Sequence, residues 1–275
     1  MSEGLDLVYE TIDKQHAQAS AHTRRQVVAG AAAALAGMGL LGFAQPANAA
    51  NGVGGLTKAE FSAENTPERI LTVAATAEVL ATIVNTVGWE KRLGGDAATQ
   101  RNIRAAAREE LIHYDTLGYL GGKPVTKRIW VPDAVFANRT SFLSTLEVGD
   151  QIFCNAYLIG TVAFGFAGLG QEAAIAAEFM GVEAVHRALA RQSLGKLGND
   201  RVFIRFDSRE QAPDAPNKGQ RGFQSINGAV AQLQAAGFGF GEKGAGPGRF
   251  YDFDDVRRRT PDDADVNTRK LDPLG

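Results

Sequence analysis

Two short stretches of this chain carry the same pair of residue types at the same spacing. EELIHYDTLGYL, at 109–120, holds Glu110 and His113, and GVEAVHRALA, at 181–190, holds Glu183 and His186. On a helix, positions i and i+3 lie on one face, so each pair presents an oxygen and a nitrogen to a single point. Two such helices each supply half of a di-iron or di-manganese carboxylate site, which needs in addition one carboxylate from each of two further helices. Such pairs also occur as ordinary surface ion pairs, and Arg108, Glu109 and Asp115 mark a side of the 109–120 segment expected to face solvent. Chance is a weak explanation: with Glu at ~6% of positions, two of four histidines preceded by Glu at i−3 arise in roughly 2% of random chains.

The elements that must position these pairs are legible from their ends. Thr66 can cap a helix, Pro67 suits its first position, and Glu68 complements the positive end of the dipole. Apolar residues then recur at helical spacing through RILTVAATAEVLATIVNTVGW, and Gly94-Gly95 ends the run. Asp96 is a cap for a second helix reaching Gly121-Gly122, so these two helices pack antiparallel across a short turn. KPVTKRIWVPDAVFAN, with two prolines and β-branched residues but no helical period, separates them from a third helix beginning near Thr140. A helix of about 24 residues is ~36 Å long and some 17 extended residues reach ~55 Å, so this segment can return along the whole bundle. GFAGLG joins the third helix to a fourth at about Gln171 to Ser193. Short, long, short connections define an all-α, ferritin-like four-helix bundle with one long crossover.

Glu78 is the acid of the first helix, set between VAATA and VLATIV. By ~1.5 Å per residue, Glu78, Glu110 and Glu183 all fall near mid-height. The third helix offers Asp150 or Glu147. Asp150 is closer to the centre and stands seven residues before Tyr157, as Glu78 stands before Asn85, so Asp150 is the preferred candidate and Glu147 the reserve. In the expected site Glu110 and Glu183 bridge two metal ions, iron or manganese, and Glu78, His113, Asp150 and His186 are terminal ligands.

The whole chain sets the limits. Its 275 residues, 44% of them hydrophobic, suffice for one sizeable domain with extensions, and a net charge of −2 gives no reason to expect a nucleic-acid partner. A single cysteine, Cys154, excludes an intramolecular disulfide framework and reads as a small core residue. GFGFGEKGAGPG, at 237–248, has the glycine density of a phosphate loop without a following helix, and reads as a flexible turn. Asn138-Arg139-Thr140 matches a glycosylation pattern but is read as the cap of the third helix. Residues 66–195 are the bundle. Residues 196–275, with VFIRF and a helix at SINGAVAQLQAAG, form a partly irregular extension with a loose end.

The first 49 residues form a signal peptide: Arg24-Arg25, an apolar run, and Ala47-Asn48-Ala49 before the cleavage point. The apolar run is glycine-broken and shorter than the ~20 residues of a spanning helix, so no stable membrane anchor is expected after cleavage. Thr23-Arg24-Arg25-Gln26-Val27-Val28 resembles a twin-arginine signal, with valines where that class carries bulkier residues. The resemblance implies export of a folded, cofactor-loaded protein to the periplasm or another extracytoplasmic space.

From Glu78 through both Glu-x-x-His elements, and more weakly in FGFGEKGAGPGRFY, the sequence resembles the exported ferritin-like domain family of the desiccation-related type. Members of that family keep a glutamate on the third helix ahead of a pair like Ala156-Tyr157, and Asp150 stands in its place here. The resemblance implies stress-protective redox chemistry on oxygen, peroxide or ferrous iron: ferroxidase or oxidase chemistry with iron, peroxide disproportionation with manganese. It implies a small-molecule oxidant as partner and a possible homo-oligomer. The alternative is a non-catalytic protective or scaffold protein that keeps the bundle without a working metal centre. For the signal segment, the exported protein is expected to begin near Ala50, as read by N-terminal sequencing, and Arg24→Lys with Arg25→Lys is expected to block export of a folded fusion. An outer-compartment protein still beginning at Met1 contradicts the assignment.

Overall fold

In the computed structural model the described residues are 52–53, 56–199 and 223–263. The signal segment at 1–49, VFIRF at 202–206 and the end of the tail lie outside them.

A two-stranded antiparallel ladder, β1 (Gly52–Val53) with β2 (Leu56–Thr57), leads into α1 (Lys58–Glu64). Thr57 and Glu60 form a reciprocal capping box at its start, a short helix not anticipated from the sequence. Four long helices follow: α2 (Pro67–Glu90), α3 (Ala97–Tyr119), α4 (Arg139–Phe166) and α5 (Gly170–Ser193). Their starts are set by local chemistry. The side chains of Thr66, Asp96 and Asn138 accept the backbone N–H of Arg69, Thr99 and Ser141 respectively, so three of four N-termini satisfy an otherwise orphaned donor. No side-chain cap is made at the start of α5, where the preceding Gly168 takes φ 76° to turn the chain sharply.

α2 packs along α3 and α4 along α5, and contacts of α2 with α4 and of α3 with α5 close the helices around one core. By length and composition α2 could cross a membrane, but 78% of its most apolar window is buried against the rest of the protein. Close approach between α2 and α4 depends on Gly88, because a Cβ there would overlap the ring of the fully buried Phe142.

The connection from α3 to α4 runs through β3 (Arg128–Pro132) and a 3-10 turn at Asp133–Phe136. β3 is the central strand of an antiparallel sheet whose outer strands, β4 (Gly239–Phe240) and β5 (Gly248–Asp252), come from the C-terminal extension. Trp130 pairs with Gly239 on one side and Phe250 on the other. The molecule is thus mostly helical with a small sheet. The extension is also less irregular than expected at 223–263: α6 (Asn227–Ala235) packs on α4, and α7 (Phe253–Arg257) packs on α2. The run at 237–248 is not a turn throughout, because Gly239–Phe240 and Gly248 are strand residues. Its glycines serve close backbone packing: a Cβ on Gly244 would collide with the carbonyl of Gly237.

The face of α3 expected to be solvated is covered by the same extension. Arg108 is 5% exposed and lies 3.3 Å from Asp262, and Asp115 is 2.7 Å from Arg257. These partners lie more than a hundred residues along the chain, so the helix's own pattern could not reveal them.

Gly88→Ala is expected to destabilise the protein by about 1–3 kcal/mol despite alanine's better helix propensity, because the added methyl must displace a buried ring. Gly181→Ala, where a Cβ meets nothing within 4 Å, is expected to stabilise by about 0.5–1 kcal/mol. Urea denaturation of both variants checks the contrast, and an equal effect on both would contradict it.

Candidate metal centre

Each of the four long helices contributes at least one ionisable side chain to a single buried cluster. Glu78 comes from α2, Glu110 and His113 from α3, Asp150 from α4, and Glu183 and His186 from α5. All six are at least 92% buried, with Glu78, Glu110 and Glu183 fully so. Their donor atoms form two overlapping sets, each within 4.8 Å: Glu78, Glu110, His113 and Glu183 in one, and Glu110, Asp150, Glu183 and His186 in the other. Glu110 and Glu183 belong to both.

In the first set, His113 Nδ1 lies 3.4 Å from Glu110 Oε2, 3.4 Å from Glu183 Oε1 and 3.7 Å from Glu78 Oε1. In the second, His186 Nδ1 lies 3.1 Å from Glu110 Oε1 and 3.6 Å from Glu183 Oε2. These separations are longer than good hydrogen bonds in most cases. They match donor atoms sharing one cation, since ligands about 2.1 Å from an ion at about 90–110° lie roughly 3.0–3.4 Å apart. The same atoms are left over by the protein: Glu78 Oε2, Glu110 Oε2, Asp150 Oδ2, both Glu183 oxygens and both Nδ1 atoms lack a hydrogen-bond partner. An unsatisfied buried polar atom costs about 1–3 kcal/mol, and more when charged. Carboxylates with two imidazoles are a donor set of the kind that holds divalent metal ions.

Surrounding groups hold the cluster from outside. The Tyr157 hydroxyl donates to Glu78 Oε1, and Asn85 Nδ2 donates weakly to Glu110 Oε1 at 3.5 Å and to the Ala81 carbonyl at 3.2 Å. Phe179 stacks on His113 with ring centroids 4.0 Å apart, closing that half with an aromatic wall. His186 Nε2 is 2.6 Å from Glu109 Oε2, so a carboxylate on the outer nitrogen directs Nδ1 inward. The seven-residue spacing noted in the sequence acquires a meaning here. Tyr157 meets Glu78 while Asn85 and Asp150 line the same cavities, as expected where α2 and α4 run in opposite directions.

Glu147 is buried but directed elsewhere, accepting from Arg191 Nη1 at 2.5 Å and Lys196 Nζ at 2.6 Å. The structure therefore brings Asp150, and not Glu147, to the other five residues. Glu109 is the contact that the sequence did not reveal: its side chain is 41% exposed, in keeping with the solvated side expected, yet it also reaches His186 across the α3–α5 interface. Nothing in its local sequence distinguishes it from a surface glutamate beside Glu110. Cys154 is 1% exposed, with Sγ 3.7 Å from the Met180 carbonyl, and burial pushes its thiol pKa up, in keeping with a core role.

Burial, and then repulsion from Glu110, raises Glu78 from 4.5 to about 7, and burial with the Glu183 charge raises Asp150 well above the usual range. Burial opposes charge on His113 and His186, but the carboxylates around each outweigh it and hold both imidazoles well above 6.5. Comparisons with family models, curated proteins and solved structures give no match, so the arrangement of these side chains is what bears on function.

All four groups move upward, which sets the sign of a pH effect. A group with a raised folded pKa contributes stability that is complete below its unfolded pKa and lost as pH rises through the folded one. For Glu78 the window runs from about 4.5 to about 7. Glu109, held below its ordinary value first by His186, acts in the opposite sense at a more exposed position. With metal stripped by chelator, the protein is expected to melt higher near about pH 5 than near about pH 8. Glu78→Gln should flatten that slope. Thermal unfolding across this range checks both, and a metal-free protein that gains stability toward pH 8 contradicts the assignment.

Proposed function

We propose that this chain is an exported ferritin-like protein whose four-helix core holds a pair of iron or manganese ions for stress-protective redox chemistry. The observation that carries this reading is the pair of overlapping four-residue donor sets sharing Glu110 and Glu183. Glu110 and Glu183, common to both sets, would hold the ions together with Glu78 and His113 in one set and Asp150 and His186 in the other. The ions would supply one-electron redox capacity toward dioxygen, peroxide or ferrous iron.

The chain's own residues would do the rest. Tyr157 holds a proton at Glu78 Oε1 and orients that carboxylate so that Oε2 remains available. Glu109 fixes the His186 ring through Nε2 and increases the basicity of Nδ1. Phe179 keeps water from His113. Asp150, standing where the resemblance implies a glutamate, still lies within the second donor set, which supports a metal-holding reading over a bundle without a working metal centre.

By linkage, metal at 1,000 times its dissociation constant adds about 4 kcal/mol, or roughly 10 °C in melting temperature for a domain of this size. The wild type is expected to contain two iron or manganese ions per chain and to lose that stabilisation on chelation. His113→Ala with His186→Ala should bind less metal and respond little to chelator. Thermal unfolding with metal analysis of the same samples checks this. A wild type without stoichiometric metal, melting at one temperature with or without chelator, favours the scaffold reading.

A further inference from the structure

The donor cluster is reached unevenly. Among the described residues, two cavities that abut it are both lined by Asn85 and Asp150, and neither of these two is lined by Glu78, His113 or Tyr157. The smaller, about 30 Å³, reaches His186. The larger, about 120 Å³, lies between α2, α4, the crossover around Pro132–Val135 and the extension at Leu233–Phe238. Val84, Val135, Phe153 and Phe238 give it apolar walls.

Two details indicate that this space is suited to an occupant. Gly149 lines it from within α4, and a Cβ there would meet nothing within 4 Å. A glycine inside a helix costs about 0.5–1 kcal/mol relative to alanine, so here the chain forgoes helix stability while leaving the cleft wide beside Asp150. Asn85 is 3% exposed, and its amide nitrogen already donates to the Ala81 carbonyl and toward Glu110. That network orients the amide and leaves Asn85 Oδ1, a buried acceptor, without a partner. The apolar volume approaches that of an engineered cavity of about 150 Å³ known to take benzene.

Resting on the di-metal reading above, we propose that this cleft is the substrate site of the metal centre. It takes a small apolar molecule, about the size of one benzene ring, bearing a hydroxyl or amine that donates to Asn85 Oδ1. The apolar body lies among the α2, α4, crossover and extension side chains, and the polar end faces the Asp150 and His186 half of the centre. The half with Glu78, His113, Tyr157 and Phe179 stays closed behind its aromatic side chains.

The probe is phenol, with toluene as the control lacking a donor, titrated into the full-length manganese-loaded protein. Calorimetry should show saturable phenol binding, and proton relaxation of the bound ring should be enhanced by the manganese. Gly149→Phe should weaken binding at least tenfold at unchanged metal content. Ala134→Trp, at the exposed mouth, should do the same without touching a helix interior and carries the test if Gly149→Phe does not fold. Asn85→Ala should weaken phenol roughly fivefold more than toluene, the change expected of one lost hydrogen bond. Stoichiometric metal without saturable phenol binding, or binding indifferent to both cavity variants, overturns the cleft assignment and leaves the di-metal reading intact. Phenol binding to a protein that takes up no stoichiometric metal overturns the di-metal reading, and with it the cleft's role as its substrate site.

Discussion

Four carboxylates and two imidazoles face one another inside a helical core, and several of their polar atoms have no hydrogen-bond partner. Taking such groups out of water without compensation is among the most expensive arrangements a fold can contain. The protein offsets part of the cost with protons, as the upward shifts of Glu78, Asp150, His113 and His186 indicate. Cations at the same positions would offset it more completely, and metal uptake would then release protons. Much of the surrounding construction serves this constraint: Tyr157 and Asn85 satisfy individual oxygens, and Phe179 closes one side.

The two halves of the cluster differ in their surroundings although their donor types are similar. The Glu78 and His113 half is packed by aromatic rings and hydrogen-bonded to a buried tyrosine. The Asp150 and His186 half adjoins two of the cavities and connects through His186 to the partly exposed carboxylate of Glu109. Aspartate, one methylene shorter than glutamate, stands where the cavities meet the cluster. The two halves of the cluster therefore differ in access, one shielded by aromatic rings and the other beside open space.

The C-terminal extension contributes to this asymmetry. Its strands add to β3 in the crossover, its helix α6 packs on α4, and residues Leu233–Phe238 form a wall of the larger cavity. Residues just past α7 meet Arg108 on α3, and Arg257 of α7 meets Asp115. A segment that reads as an appendage in sequence therefore shapes the approach to the cluster.

What the sequence determined by itself was whatever depends on near neighbours. Thr66, Asp96 and Asn138 mark helix starts because a cap acts within three residues, and the Glu-x-x-His pairs share a face because helical geometry requires it. Counting residues from the expected helix starts was enough to place Glu78, Glu110 and Glu183 at a common height. Depth in the helix already favoured Asp150 over Glu147, but only the tertiary structure shows what Glu147 does instead, accepting from Arg191 and Lys196 at the far end of α5 and the turn after it. Glu109 became a partner of His186, and β3 the centre of a sheet, for the same reason. Each depends on a contact between segments far apart in the chain, and neither periodicity nor capping carries information about which distant side chain will arrive.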